Sequence, residues 1–324
     1  MSQEILSKLN TTHIEEISSS RNEPEWLKNY RKSSLSVYDS LPIETSPLYN
    51  KYTDAKKMDP EKVSLSTNTA ETVPAFLQKR LGELENEICI IQIGTNIHRI
   101  NLPDELKSKG LVISSISDAV QNNFELVKKA LEASNSSDDK FTALNNAAFN
   151  SGIFIHIPRN FILDKPIYFL TCLSEDGHST ISRNIIFADE SSKSTLVQEL
   201  YSANIQTQQA YLELMNTNVA ANAQLDVTTL QMMDQQAVTF STKRTDLGQD
   251  AKVNWYSGLF GSMLSRYKIE YFLNGSGASS NDSEVIFGNN EQSFDIQTNV
   301  NHESPSTEGR VVEKSILRNK SKSL

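Results

Sequence analysis

The spacing of hydrophobic positions changes near residue 151, and this change divides the chain into two kinds of structure. Before this point several stretches have apolar residues at every third or fourth position, which predicts amphipathic helices. After it apolar and polar residues alternate, which is the pattern of β-strands. The stretch SGIFIHIPRNFILDKPIYF, residues 151–169, is the first to alternate: Ile153, Ile155 and Ile157 face one side, and Phe154 and His156 face the other.

Residues 1–75 are predicted to form an N-terminal helical region and a linker. In NEPEWLKNYRKSSLSVYDSLP, Asn22 is a candidate N-cap, Glu25 stands at the capping-box position, and Pro42 ends the helix. Residues 43–75 are polar and contain three prolines, which predicts a long connection.

Residues 76–150 are predicted to form a small α/β segment. EICIIQIGTNIHRINLP has the pattern of two strands joined at a GTN turn, and LVISSI has that of a third strand. Ser117 or Asp118 is then expected to cap a helix that continues to Leu131. DDKFTALNNAAFNSG predicts a second helix, which ends before Gly152.

Residues 151–324 carry a weak internal repeat. The motifs SKSTL, AQLDV, AKVNW and SEVIF share the order small–x–x–x–apolar and recur at intervals of about 30 residues. Such spacing favours a parallel β-helix, in which each turn stacks on the one before. A β-sandwich is the alternative, but it predicts closely spaced hairpin turns, and only Asn274-Gly275 lies in a plausible place for one. The four motifs begin at Ser192, Ala223, Ala251 and Ser283.

Composition limits the classes of function. The 324 residues carry a formal net charge of -9, and Lys and Arg form no long cluster before the last dozen residues, which argues against a nucleic-acid partner. No apolar run approaches the length of a membrane span, and the N-terminus lacks the apolar core of a signal peptide, so a cytoplasmic protein is expected. Cys89 and Cys172 lie far apart among apolar residues and are expected to be buried thiols.

Four stretches, taken in order, resemble the SufB/SufD family of iron–sulfur cluster assembly proteins. ALNNAAFNSGIFIHIPRNFILDKPIYF is similar to the family's first β-helix segment. VNWYSGLFGSMLSRYKIEYFLNGSGA is similar to a turn of that helix in which the chain bends at Gly258 and Gly261. EPEWLKNYRKSSLSVYDSLPIETSPLYNKYTD resembles the N-terminal helix and linker, and INLPDELKSKGLVISSISDAV resembles a small α/β region of SufD. The resemblance covers residues 21–324 and favours SufD over SufB.

The resemblance implies a mainly β fold, a right-handed parallel β-helix preceded by an N-terminal helical region and a small α/β segment. It also implies a non-enzymatic scaffold subunit of a SufBCD-type complex that assembles and transfers nascent Fe–S clusters. The partner would be a SufB-like subunit, in a heterodimer, or a second copy, in a homodimer. Any cluster or iron would be transient and shared with the partner, with none held by this chain alone. The sequence contains no G-x-x-x-x-G-K-[ST] loop, which agrees with ATP hydrolysis by another subunit.

The chain departs from the family pattern at its end and at one functional position. It stops at VVEKSILRNKSKSL, before the helical region that holds the SufC-like ATPase, so a truncated chain is expected and SufC binding is in doubt. Matching NHESPSTEGRVVEKSIL to the family puts Glu313 in the place of a histidine implicated in cluster formation, and His302 on an upstream histidine. Both are candidates for contact with iron or a cluster. The alternatives are a surface strand residue for Glu313 and a locally hydrogen-bonded turn residue for His302.

Two further interpretations stay open. One is a carbohydrate-active β-helix enzyme, a polysaccharide lyase or glycosidase, which needs carboxylates from neighbouring turns; Asp226, Asp250 and Asp282 recur near the repeats. The other is an inactive, truncated SufD remnant. The glycine-rich turn also carries an aromatic cluster, which is expected either to pack between turns or to face a partner: Tyr256, Phe260, Tyr267, Tyr271 and Phe272.

Overall fold

Two parallel β-sheets face each other, and the chain passes alternately from one to the other. The structure, a computed structural model, describes residues 9–42, 63–65, 73–134, 139–174, 177–203 and 206–324. Each coil contributes one strand to each sheet, and successive coils pair in parallel, which gives a β-solenoid of about 6 turns. The predicted β-helix class is therefore confirmed.

Sheet A contains β1 (Ser64–Leu65), β4 (Val112–Ser115), β5 (Ile153–Ile157), β7 (His178–Ala188), β9 (Gln209–Val219), β11 (Ala237–Leu247), β13 (Leu264–Leu273), β15 (Ser293–His302) and β17 (Lys322–Ser323). Sheet B contains β2 (Ile88–Ile93), β3 (Asn96–Asn101), β6 (Ile167–Leu173), β8 (Lys193–Ser202), β10 (Gln224–Met232), β12 (Lys252–Leu259), β14 (Ser279–Gly288) and β16 (Glu308–Leu317). The helices are α1 (Thr11–Ser20), α2 (Glu25–Ser40), α3 (Gln78–Glu83), α4 (Asp104–Ser108), α5 (Ile116–Asn122), α6 (Phe124–Ala133) and α7 (Lys140–Ala148), and a 3-10 turn (Ala75–Leu77) precedes α3.

The predicted elements of residues 76–150 are present, with two corrections. β2 and β3 form the expected antiparallel pair on either side of the GTN turn, and β4 pairs with β5. The single helix expected after β4 is two helices, α5 and α6, which are separated at Asn123. The N-cap of α5 is Ser115, whose hydroxyl oxygen accepts from the Asp118 backbone N–H at 3.0 Å, so the prediction of Ser117 or Asp118 was wrong.

The predicted cap of α2 was also wrong. Asn22 has φ 50°, and α2 begins at Glu25 without a side-chain cap. Glu23 instead directs its carboxylate to the buried Arg31 guanidinium, with both nitrogen–oxygen distances 2.7 Å. Most of the predicted linker, residues 43–62 and 66–72, lies outside the described residues.

The corner that leads into each sheet B strand shows why the coils repeat. At this corner one residue per coil has a left-handed backbone, with φ between 53° and 74°. Asparagine, aspartate and glycine tolerate this conformation better than most residues, and a serine occupies the same place in two coils. The stacked corner residues are Asn160, Ser191, Asn222, Asp250, Gly277 and Ser306.

The position of this corner changes the start of the fourth copy of the predicted repeat. Lys252 of β12 pairs with Ser279 of β14, so the fourth copy begins at Ala278 and not at Ser283. The predicted bend at Gly258 is also wrong, because Gly258 lies inside β12. Gly261 does lie in the turn, where an added Cβ would stand 2.1 Å from the Met233 carbonyl oxygen.

Apolar layers form between the sheets and on both outer faces. Trp255 and the isoleucines of β5 lie in the core between the sheets. Helices α2, α6 and α7 cover the outer face of sheet A, where Phe141 stacks on Phe240 with ring centres 3.9 Å apart. Phe154 packs under these helices, on the face opposite the isoleucines as expected.

Candidate functional site

A line of polar side chains runs through the interior of the solenoid, between the two sheets. These residues point inward into the core between the sheets, and all of them are buried. We call them the interior column: Gln198, Glu213, Thr229, Ser241, Lys243, Ser257, Asp282 and Glu284.

The parallel register of sheet B builds one side of the interior column. Gln198 pairs with Thr229, Thr229 with Ser257, and Ser257 with Glu284. Residues in register lie about 4.8 Å apart, so each polar group is within reach of the next coil. Thr229 donates to the Gln198 side-chain oxygen at 3.1 Å.

Glu213 of β9 receives several hydrogen bonds at the first coils of the interior column. Its carboxylate accepts from Ser241 at 2.6 Å, from Asn184 at 2.7 Å and from the Gln198 amide. These three donors replace part of the hydration that the Glu213 carboxylate loses on burial.

Lys243 is the fully buried cation of the interior column. Its ammonium donates to Thr229 at 2.7 Å and to Gln198 at 3.2 Å, and it lies 4.7 Å from the centre of the Trp255 ring. Both hydrogen-bond acceptors are neutral. Burial lowers the pKa of Lys243 to about 8, so the charge is held less firmly than on an exposed lysine.

Two carboxyl groups on β14 lie farther along the interior column. Burial raises the pKa of Asp282 to about 6, and burial together with the nearby Asp282 carboxyl raises the pKa of Glu284 to about 8. Tyr271 donates to Asp282 at 2.8 Å, and Thr298 donates to Glu284 at 2.9 Å. The second oxygen of Asp282 has no hydrogen-bond partner among the described residues. This pair can hold a proton near neutral pH.

The candidate Glu313 continues the interior column on β16. It pairs in register with Glu284 and is exposed. Its carboxylate oxygen accepts from Ser315 at 3.1 Å and from Ser323 at 3.2 Å. Glu313 is therefore a surface strand residue, as the alternative interpretation predicted. It also lies in line with the buried residues of the interior column. Contact of Glu313 with iron stays a prediction.

The candidate His302 lies apart from Glu313. It is the exposed last residue of β15, and its Nδ1 is 2.7 Å from the Thr307 hydroxyl. Thr298 faces Glu284 from the same strand, and four residues of strand separate it from His302, a distance of about 13 Å. The two candidates thus do not form one ligand set. Within the described ranges, no three His, Cys, Asp or Glu side chains are placed to hold a metal ion.

The three aspartates of the carbohydrate hypothesis point in different directions. Asp226 pairs with Asn254 and Asn254 with Asn281, so Asp282, one residue later, faces the opposite side of sheet B. Asp282 is buried inside, whereas Asp226 accepts from Asn254 at 2.7 Å on the outer face. Asp250 lies at the left-handed corner. They therefore do not form the carboxylate pair that a glycosidase uses.

The predicted aromatic cluster divides among three places. Tyr267 and Tyr271 are buried between the sheets. Phe272 lies on the outer face of sheet A, 3.9 Å from the Arg244 guanidinium. Tyr256 and Phe260 are exposed on the outer face of sheet B. Packing between coils and exposure on the surface thus both occur, in different residues.

The sequence analysis did not find the interior column, because it interpreted polar residues in a strand as facing solvent. The sequence does contain a periodic signal of the interior column. The polar residues Gln198, Thr229, Ser257, Glu284 and Glu313 recur at the interval of the coil and at the same distance from the corner residue.

The fold defines a class of protein: a parallel β-solenoid with N-terminal helices on its outer face and stacked polar side chains inside. The chain belongs to the SufBD family. Residues 6–169 match the family model of the SufBD protein N-terminal region, and residues 171–324 match that of the SUF system FeS cluster assembly, SufBD core domain. The resemblance seen in the sequence is thereby confirmed at the level of the SufB/SufD family.

Two relatives show the extent of the similarity. An iron–sulfur cluster assembly SufBD family protein of Staphylococcus aureus strain USA300 is 26% identical over 322 residues, covering 94% of this chain and 68% of the relative. A protein of the same description from Staphylococcus saprophyticus is 27% identical over 321 residues, with the same coverage. Across the described ranges, no helix has both the length and the apolar character needed to cross a membrane.

Proposed function

We propose that this chain is a non-enzymatic scaffold subunit of a SufBCD-type complex, most like SufD, which pairs with a SufB-like subunit and works in the cytoplasm. The observation that carries the proposal is the match of both halves of the chain to the SufBD family. The scattered positions of the carboxylates and histidines support a scaffold over a hydrolase.

The interior column supports a role in handling a cluster as cargo. Glu313 lies in line with it on β16, and the carboxylate of Glu313 is a hard oxygen donor suited to iron. A single carboxylate leaves the other iron coordination positions to groups outside this chain. We therefore expect the cluster to be shared with a partner, which is either a SufB-like subunit or a second copy of this chain.

An anaerobic pull-down tests the proposal. The tagged chain is incubated with a SufB-type protein, and in a separate arm with a SufC-type ATPase, and iron and sulfide are counted in the eluted complex. We expect retention of the SufB-type protein, with iron and sulfide in the complex and no ATP hydrolysis by the chain alone. Elution of the chain without the SufB-type protein, and without iron, would contradict the proposal.

A further inference from the structure

A short segment of the chain, residues 75–84, crosses the outer face of sheet B and contains α3. We call this segment the strap. At its start the Phe76 ring lies against that of Tyr201 on β8, with ring centres 6.3 Å apart. At its end the carbonyl oxygen of Leu84 accepts a hydrogen bond from the Cys89 thiol on β2 at 3.7 Å. The strap therefore spans the neighbouring strands from β8 to β2.

Both cysteines of the chain lie beneath the strap. Cys89 of β2 and Cys172 of β6 belong to one apolar cluster on the outer face of sheet B, and both are fully buried. The strap contributes three leucines to this cluster, Leu77, Leu81 and Leu84, and all three are buried as well. The strap therefore separates both thiols from solvent.

The two thiols are separate from each other and unreactive while they are covered. The register of β2 and β6 places Cys172 beside Ile93, four residues beyond Cys89, which is about 13 Å along the strands. This separation is too large for a disulfide. Burial raises the pKa of the Cys89 thiol, so the covered group stays protonated at neutral pH, and a thiol is far less reactive than a thiolate. Reaction of either cysteine therefore requires displacement of the strap.

A bidentate ion pair joins the strap to sheet B. The Arg80 guanidinium donates to both carboxylate oxygens of Glu199 on β8, from Nε at 3.0 Å and from Nη2. The Glu199 side chain is only 4% exposed, and Tyr201 also donates to it at 2.9 Å. Charge-assisted hydrogen bonds of this kind are stronger than neutral ones. We call the pair of Arg80 and Glu199 the latch, because it favours the closed position of the strap.

The strap can leave sheet B without disrupting the solenoid. The strands beneath it pair with one another, β2 with β3 and β6, and β6 with β8. A helix of six residues has little stability of its own, so α3 depends on its contacts with sheet B. Gly82 weakens α3 further, although among the described residues nothing lies within 4 Å of a Cβ added there. These features favour local opening of the strap.

We propose that the strap is a gate over Cys89 and Cys172, which opens while the solenoid stays folded and is held closed by the latch. In the closed state the leucines of the strap keep both thiols buried. In the open state both thiols face solvent and are accessible to soft electrophiles. The inference concerns access to the cysteines and does not depend on the proposed scaffold function.

Alkylation by N-ethylmaleimide tests the proposal on the whole chain. The cysteine sulfur adds to the maleimide double bond, the proton goes to the adjacent carbon, and peptide mass spectrometry follows each cysteine over time. We expect Arg80→Gln to accelerate alkylation of both cysteines at least about tenfold, because it removes charge-assisted hydrogen bonds. Gly82→Ala should slow it about two- to fivefold, since it stabilises α3. Arg159→Gln is the matched control, because Arg159 forms an exposed ion pair with Glu190 at 2.8 Å.

The urea dependence of alkylation distinguishes local opening from unfolding of the whole chain. Local opening exposes little surface, so the rate should change little in urea below the unfolding transition. A rate that rises with urea as steeply as the unfolding equilibrium would mean that the cysteines react only in the unfolded chain, and would overturn the proposal. Equal rates in wild type, Arg80→Gln and Gly82→Ala would overturn it as well. Retention of a SufB-type protein reports on the proposed function separately.

Discussion

The ammonium of Lys243 lies 4.7 Å from the centre of the Trp255 ring, and both residues are fully buried between the two sheets. A buried lysine without a paired carboxylate loses hydration that neutral acceptors only partly replace. The aromatic face supplies part of the missing attraction. This arrangement makes the stability of the solenoid depend on pH.

Lys243→Met is expected to remove a rise in stability at alkaline pH. The pKa of Lys243 is about 8 in the folded chain, against 10.5 for a free lysine. Between these values the unfolded chain binds more protons, so wild-type stability increases as pH rises through this window, by about 1.4 kcal/mol per unit at most. Urea unfolding at pH 7.5, 8.5 and 9.5 measures the difference between wild type and variant. Lys252→Met, at an exposed lysine of β12, is the control.

Equal slopes in wild type and Lys243→Met would contradict this account of Lys243. The comparison has to be a difference between the two proteins, because burial also raises the pKa of Tyr211 and Tyr267. Both tyrosines are present in both proteins, so the difference between the two pH profiles removes most of their effect.

Glu284→Gln is expected to have the opposite effect on the pH profile. The folded-state pKa of Glu284 is about 8, above its ordinary 4.5, so the folded chain binds more protons between these values. The contribution of this group to the free energy of unfolding is therefore complete below pH 4.5 and is lost as the pH rises to 8. Wild type should therefore lose up to a few kcal/mol relative to Glu284→Gln between pH 5 and 8, at about 1.4 kcal/mol per unit.

Urea unfolding at four pH values from 5 to 8 checks this prediction. Glu308→Gln is the matched control, since Glu308 is an exposed glutamate on the neighbouring strand. Parallel profiles for wild type and Glu284→Gln would show that Glu284 is ionised in the folded chain across this range.

The sequence predicted those parts of the fold that depend on local patterns. Alternation identified β5 because Ile153, Ile155 and Ile157 have to face a core, and period 2 is local information. The register of the fourth coil could not be predicted in the same way. The true copy, ASSND from Ala278, has Asp282 where the other copies have an apolar residue, so the motif matched SEVIF instead, five residues later on the same strand.

The candidate site depended on contacts that no local pattern contains. Glu284 is buried, and Thr298 of the opposite sheet donates a hydrogen bond to its carboxylate at 2.9 Å. A polar residue in a strand is ordinarily interpreted as facing solvent, since only a distant partner makes its burial tolerable. The family resemblance identified Glu313, but its position in line with the interior column, beside Glu284, follows from the register alone.

Gly261→Ala is expected to destabilise the solenoid, whereas Gly82→Ala is expected to stabilise it. A Cβ at Gly261 would lie 2.1 Å from the Met233 carbonyl oxygen, and backbone cannot yield as a side chain can. The cost should reach about 1–3 kcal/mol. At Gly82, inside α3, nothing lies within 4 Å, so the substitution should gain about 0.5–1 kcal/mol from helix propensity. Thermal unfolding of both variants measures the contrast, and equal effects would refute it.

Glu313→Gln is expected to reduce the iron and sulfide that co-elute with a SufB-type partner under anaerobic conditions. The amide keeps the shape of the side chain and an acceptor for Ser315, but it lacks the charge that binds iron. Because Glu313 is exposed, the fold and the retention of the partner should not change. His302→Asn should leave the iron content unchanged, since His302 contacts Thr307 and lies apart from the interior column.

Glu313→His separates a ligand role from a purely structural one. Imidazole is a better match than carboxylate for a soft, sulfur-bridged site, so this variant should hold at least as much iron and sulfide as wild type. Loss of iron in Glu313→Gln together with recovery in Glu313→His would mean that the position binds the cargo directly. A loss in both variants, with the partner retained, would mean that Glu313 acts through its hydrogen bonds to Ser315 and Ser323. Iron content that neither variant changes, but that His302→Asn lowers, would move the site to His302.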